Sequence, residues 1–167
     1  MHEILVLGNA TRGNDMQTTN VIQFNLVNTK AYKTIINTRV NNINLNNKLF
    51  AGSRIENTVF ENVNFVECDF QGTEIINCKF VNCNFENCNF EFSRIKNCNM
   101  VACKVEGCNF CITNSLNTNF LSCMLTANKY EESEHIEATF INSIKEDGTM
   151  DEYAMEATTL SYCQVAA

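Results

Sequence analysis

Cys78-Lys79-Phe80-Val81-Asn82-Cys83-Asn84-Phe85-Glu86-Asn87-Cys88-Asn89-Phe90 runs on a beat of five: a small residue, a polar one, a large apolar one, then two of free choice. The beat extends both ways. Every fifth residue from Ile35 through Val40, Leu45, Phe50, Ile55, Phe60, Phe65, Phe70, Ile75, Phe80, Phe85, Phe90, Ile95, Met100 and Val105 to Phe110 is apolar. Those are sixteen positions in a chain that is 45% hydrophobic. Chance would give such a run roughly once in several hundred thousand trials. Ser115 interrupts the series, which resumes with Phe120, Leu125, Tyr130 and Phe140; His135 takes one further centre.

The residue two places before each centre is small: Thr58, Val63, Cys68, Thr73, Cys78, Cys83, Cys88, Ser93, Cys98, Cys103, Cys108, Thr113, Thr118 and Cys123. One large and one small inward residue in five fit neither a 3.6-residue helix nor a long alternating strand. They fit a chain that turns a corner every five residues. If four sides close one coil, residue n must stack on n+20. The centres sort that way, into Val40/Phe60/Phe80/Met100/Phe120/Phe140, Leu45/Phe65/Phe85/Val105/Leu125, Phe50/Phe70/Phe90/Phe110/Tyr130 and Ile55/Ile75/Ile95. The small residues sort too, with Ser53/Thr73/Ser93/Thr113/Ser133 on one side and Cys83/Cys103/Cys123 and Cys68/Cys88/Cys108 on two others. Outside, Asn37/Asn57/Asn77/Asn97/Asn117 form one column and Arg54/Glu74/Arg94 alternate in sign up another. Short parallel strands about 4.8 Å apart pair their backbone groups with the coils above and below. Each buried Phe or Ile contributes about 1.5–3 kcal/mol against the ordering entropy. Asn at the corners, helped by Gly52, Gly72 and Gly107, tolerates the turns.

On these residues the stretch Thr58–Phe92 resembles the pentapeptide-repeat family. The resemblance covers about residues 33–142, and it implies an all-β, right-handed parallel quadrilateral β-helix of about five coils. The family is mostly bacterial, and membership implies little about function.

The two ends depart from the beat. Residues 1–32 are expected to form an N-terminal cap, with Glu3–Leu7 and Val21–Val27 as short strands covering the first coil, because an open coil is an unpaired sheet edge. Residues 33–142 form the β-helix, and 143–167 a C-terminal cap. In that cap Thr149-Met150-Asp151-Glu152 matches a capping box, and Met150, Tyr153, Ala157 and Leu160 fall at helical spacing. A closing helix is the expectation, with a strand over Thr158–Val165 as the alternative. The apolar run Ile4–Leu7 is too short for a signal-peptide core, and nothing approaches a membrane span. The expectation is a soluble cytoplasmic protein with reduced thiols.

The sequence offers little chemistry. Eight of the ten cysteines, among them Cys78, Cys83, Cys88, Cys98, Cys103 and Cys108, hold the small inward position; Cys111 and Cys163 do not. Neighbours five apart sit on different walls, and those twenty apart point in parallel, a poor disulfide geometry. No paired zinc spacing stands out from the beat. They read as buried thiols, in a core built with Phe60, Phe65, Phe70, Phe80, Phe85, Phe90 and Phe110. His2 and His135 lie near the ends, no nucleophile has an evident His partner, and no glycine-rich phosphate loop follows a strand. We expect no enzyme, no catalytic residue, no metal and no cofactor.

The outer wall says more. The column Asn41/Glu61/Val81/Val101/Leu121 turns apolar in its upper half, with Met124 and Ala102 nearby. Phe92 and Ile112 stack at another corner, above Gly52 and Gly72. Val81, Val101, Leu121, Met124, Phe92 and Ile112 are therefore the candidate partner or dimer surface, unless the chain's own tails cover them. The leading reading is a protein-interaction or structural scaffold module, with itself or an unknown protein as partner. Resemblance to quinolone-resistance proteins implies an alternative, a gyrase-binding mimic of duplex DNA that dimerises through its C-terminal end. The net charge of −7 agrees in sign, but Lys33–Lys129 holds eight acids against nine bases, and the excess lies beyond it. A duplex mimic needs acidity along its length. Direct nucleic-acid binding is not expected of an acidic chain. A third reading is end-to-end assembly into fibres, if the caps leave the terminal coils open.

Overall fold

The computed structural model describes residues 3–5, 33–141, 144–146, 159–161 and 164–166. All its elements are strands, and all pair in parallel. On the first face Lys33–Ile36, Arg54–Glu56, Glu74–Ile76, Arg94–Lys96, Asn114–Leu116 and Glu134–Ile136 stack in order. The second and third faces share one sheet, because Arg39–Asn46 and Val59–Val66 each run round the corner between them. Above those, the second face continues as Lys79–Val81, Asn99–Val101, Asn119–Leu121 and Thr139–Ile141, and the third as Asn84–Glu86, Lys104–Glu106 and Met124–Thr126. The fourth face is a ladder of single bridges, Leu49↔Asp69↔Asn89↔Asn109↔Lys129. From Lys33 onward the register is n to n+20, as in Ile55↔Ile75 and Phe60↔Phe80.

What bends the chain is one residue per side. Every fifth residue from Asn37 to Glu137 has a positive φ, between 50° and 65°. L residues adopt this left-handed region at a cost of about 1–2 kcal/mol, with Gly exempt and Asn favoured. Asn is the commonest residue at these sites, and its amide also stacks. Asn77 Nδ2 donates to Asn57 Oδ1 at 3.2 Å, Asn97 to Asn77 at 3.1 Å and Asn117 to Asn97 at 3.1 Å. The backbone N–H of each corner Asn in that column reaches the coil above, as from Asn57 to the Ile76 carbonyl at 3.0 Å. The fourth-face corner is tighter, closed by an i to i+3 bond such as Thr73 N–H to the Phe70 carbonyl at 3.0 Å.

Inside, the rings stack almost parallel: Phe50–Phe70 at 4.7 Å, Phe70–Phe90 at 4.7 Å and Phe90–Phe110 at 4.8 Å, within 5°. Adjacent ladders meet edge to face, as Phe65 does with Phe60 and Phe70. The small inward residues do more than fill space. Most of the hydroxyls and thiols donate to the carbonyl of the centre twenty-three residues earlier: Thr73 Oγ1 to Phe50 at 2.8 Å, Ser93 Oγ to Phe70 at 3.0 Å, Cys68 Sγ to Leu45 at 3.0 Å and Cys88 Sγ to Phe65 at 3.3 Å. Asn128 takes the next place in the Cys68/Cys88/Cys108 column, with its Oδ1 accepting from Cys108 N–H at 2.9 Å and its Nδ2 donating to the Val105 carbonyl at 3.0 Å.

Strand pairing does not stop at residue 142, because Ile144–Glu146, Thr159–Ser161 and Gln164–Ala166 extend the second and third faces in the same register. Leu160, the last residue of the expected helix, is a strand residue opposite Phe140. Its place on the five-residue beat outweighs its place in a helical pattern, because the coil beneath supplies a ready ladder edge. The remainder of the expected helix, 149–158, lies outside the described residues. At the other end Glu3–Leu5 pairs in parallel with Lys33–Ile35 of the first coil. The expected strand over Val21–Val27 lies outside the described residues.

Candidate protein-binding surface

Besides the half-buried first-face column of Ile36, Ile76, Leu116 and Ile136, two groups containing the exposed large apolar residues stand on the outer wall, at opposite corners of the square section. The first lies on the second face. Val81, Val101 and Leu121 stack in register, and Ile141, absent from the sequence reading, continues the column. The signal for Ile141 was the same n+20 rule, carried one coil further. Below them the column holds Asn41 and Glu61, and Glu61 pairs with Arg39 at 2.6 Å. The neighbouring outward row runs Arg39, Val59, Lys79, Asn99, Asn119 and Thr139, losing its charge one coil above Val81. At the adjoining corner the amide ladder Asn42–Asn62–Asn82 gives way to Ala102 and Ser122. Without those amides the apolar surface passes round the corner to Met124, which is 39% exposed beside Leu121 at 40%.

The second patch is Phe92, 51% exposed, with Ile112, 41% exposed, in the coil above it. Both sit at the left-handed site of the fourth-face corner, with φ of 59° and 54°. Gly52 and Gly72 hold that site in the lower coils, and a Cβ built on Gly72 would meet nothing within 4 Å. The six candidate surface residues thus form two separate groups, Val81, Val101, Leu121 and Met124 in one and Phe92 and Ile112 in the other.

The interior is a packed core with one defect. Cys78, Cys83, Cys88, Cys98, Cys103 and Cys108 are buried, with Phe60, Phe65, Phe70, Phe80, Phe85, Phe90 and Phe110. The nine described cysteines are all free thiols. A bond with the stacked Cys108 thiol, opposed by that with Cys68, and burial push the Cys88 thiol up to about 12. Pairing with the thiol stacked on them, then burial, pushes Cys68 and Cys98 up as well. His135 is buried at a centre position, edge-on to Tyr130 at 5.6 Å and 3.4 Å from Ser133 Oγ. A void of about 30 Å³ runs past Ile95, Ser115 and His135. No cluster of His, Cys, Asp and Glu among the described residues is arranged to hold a metal.

Charge on the wall is locally cancelled. Arg54 bridges Glu56 and Glu74 at 2.9 Å each, and Lys104 pairs with Glu106. Arg94 stands 3.9 Å from Glu74. The unbalanced acids begin at the coil holding Glu131, Glu132, Glu134 and Glu137, all exposed.

A continuous pentapeptide-repeat signature spans residues 43–80 and 74–111, in eight copies. Residues 43–111 thus match the model of pentapeptide repeats, and the coil geometry above carries the same twenty-residue register from residue 33 to residue 141. The chain is similar to the solved structure of QnrB1, a plasmid-mediated fluoroquinolone resistance protein, at 16% identity over 80% of this chain and 86% of that one, with a TM-score of 0.45. It is also similar to a pentapeptide-repeat protein of the Arabidopsis thaliana thylakoid lumen, at 13% identity over 66% of this chain and 70% of that one, with a TM-score of 0.37. A third similar structure is Rfr23 from the cyanobacterium Cyanothece 51142, at 13% identity over 76% of this chain and 90% of that one, with a TM-score of 0.31. Comparison with proteins of curated function gives no match.

Proposed function

We propose that the protein is a non-catalytic scaffold that binds a protein through the apolar column Val81, Val101, Leu121 and Ile141, with Met124 round the corner. One observation carries this reading. Over the two coils of Val101 and Leu121 three adjacent rows are free of charge together: Val101 and Leu121 follow Val81 in a column that begins with Asn41 and Glu61, Asn99 and Asn119 follow Arg39, Val59 and Lys79, and Ala102 and Ser122 replace the corner amides. A fold that needs only inward residues to be apolar gives no reason for that concerted change. Contiguous exposed apolar surface on a folded protein marks an interaction site. The partner surface is accordingly apolar and uncharged. The thiols that donate to core carbonyls must stay reduced to do so, which supports a reducing, cytoplasmic setting.

The test is Leu121→Glu, alone and with Val101→Glu. Both side chains point outward, so circular dichroism and the thermal midpoint should stay close to wild type. Light scattering on the eluting protein and affinity capture should both show associations lost in the variants. If every association of the wild-type protein survives the double variant, this column is not the site. Conversion of a wild-type oligomer into a monomer by the same variant would identify the partner as a second copy.

A further inference from the structure

The corner patch of Phe92 and Ile112 is a second, chemically different surface, and we infer that it docks a cationic amphipathic protein segment, one with apolar side chains interleaved with Lys or Arg. The backbone argues for selection of these two residues. A β-branched residue at φ 54° is disfavoured by its own Cβ, and the same corner two coils lower is glycine. Burial does not explain the choice either, because Phe92 and Ile112 are among the most exposed large apolar residues of the described chain. Residues kept in unfavourable backbone regions and out in solvent point to a use for the side chains.

The flanking charges fix the chemistry of the occupant. Glu132 stacks directly above Ile112 in the same corner column, about 4.8 Å away. Glu131 and Glu134 stand on either side of it in the same coil, and Glu91 precedes Phe92. Glu131, Glu132 and Glu134 form no ion pair among the described residues; of the nearby cations, Arg94 leans toward Glu74 below, and Lys129 in the same coil is one charge against three. An apolar pair set under unneutralised carboxylates suits a partner with Leu- or Phe-like side chains and adjacent cations. The face bearing Val101 and Leu121 has no such carboxylates, so the two surfaces select different partners. The inference rests on the same view of the protein as a binding module but on a different wall.

The probe is a fluorescein-labelled peptide of alternating Leu and Lys, with Ser-Lys and Leu-Glu peptides as controls, titrated against the full chain by anisotropy. Saturable binding of the Leu-Lys peptide that weakens as salt rises is the expected result. The Phe92→Gly/Ile112→Gly variant restores the residue of the lower coils, keeps the fold, and should weaken that binding about tenfold or more. Glu131→Gln/Glu132→Gln/Glu134→Gln should weaken it and flatten its salt dependence, while Leu121→Glu should leave it unchanged. Equal binding of the Ser-Lys or Leu-Glu peptide would overturn the inference, as would undiminished binding by the double-glycine variant or loss of binding in Leu121→Glu. A wild-type dimer that the double-glycine substitution dissociates would also overturn it, because the occupant would then be a second copy.

Discussion

Replacing Ser115 by Val should stabilise this protein, against the usual outcome for a core substitution. The first-face ladder runs Ile35, Ile55, Ile75 and Ile95 and then changes to Ser115 and His135. Ile75 is 2% exposed, whereas Ile95 is only partly buried and borders the void of about 30 Å³ that also touches Ser115. Ser115 lines that void with a side chain smaller than the Ile of the coils below it, so added methyl groups there would enter it. At about 24 cal/mol per Å³, removing the cavity alone is worth about 0.7 kcal/mol. Burying two methyl groups at about 0.8 kcal/mol each sets an upper figure near 2 kcal/mol. The thermal midpoint should therefore rise by about 2–6 °C, read by circular dichroism at one scan rate with wild type in parallel. Ser115→Ala should give less than the Val variant, because it adds no volume. A midpoint lowered by Ser115→Val would refute the reasoning, since it would mean the site is already filled and the new methyl groups strain His135 above it.

Other expectations follow from the same geometry. Asn77→Ala should cost about 1–2 kcal/mol, since Ala is poorly suited to φ 53° and both ladder amide bonds are lost. Asn77→Gly should recover most of the backbone part, and equal losses in the two variants would count against the corner argument. Phe70→Ala should cost about 3–5 kcal/mol in a denaturant melt, because the ring lies within stacks on both sides. For the thiols, Cys88 has a folded value raised to about 12 against about 8.5 in the unfolded chain. Its contribution is thus complete below about pH 8.5 and is lost as pH rises toward 12, so stability should fall through that window. A melt independent of pH from 8 to 11 would contradict this. In a DNA gyrase supercoiling assay no inhibition is expected, because the acids of the rod are matched by bases such as Arg54, Arg94 and Lys104.

Much of the fold was legible because a coil repeats its environment every twenty residues. Phe60, Phe80, Met100 and Phe120 meet the same neighbours in turn, so identical demands print identical residues. The roles of the small inward residues were only half legible. That Cys68 and Thr73 are small follows from the spacing; that they donate to the Leu45 and Phe50 carbonyls depends on the rise between coils. Around Leu160 both a helix and a strand are open readings of the sequence, because a five-residue beat and a 3.6-residue period both place apolar residues at short intervals; pairing with Phe140 makes Leu160 a strand residue.

The surface divides in the same way. Val81, Val101 and Leu121 could be aligned by counting twenties, and so could Phe92 and Ile112. That Leu121 and Met124 stand exposed on either side of one corner, while Phe92 and Ile112 stand on an unfavourable turn, is decided only in the folded coil. The amino-acid sequence by itself determined the coil, its period and the identity of its inward residues, because those depend on a local pattern repeated through the rod. Only the tertiary structure decided which corners need a left-handed residue, which thiols and hydroxyls bond to which carbonyls, and where the void lies. Those features depend on the dihedral angle of each corner and the gap between coils, and neither quantity is carried by the order of polar and apolar residues.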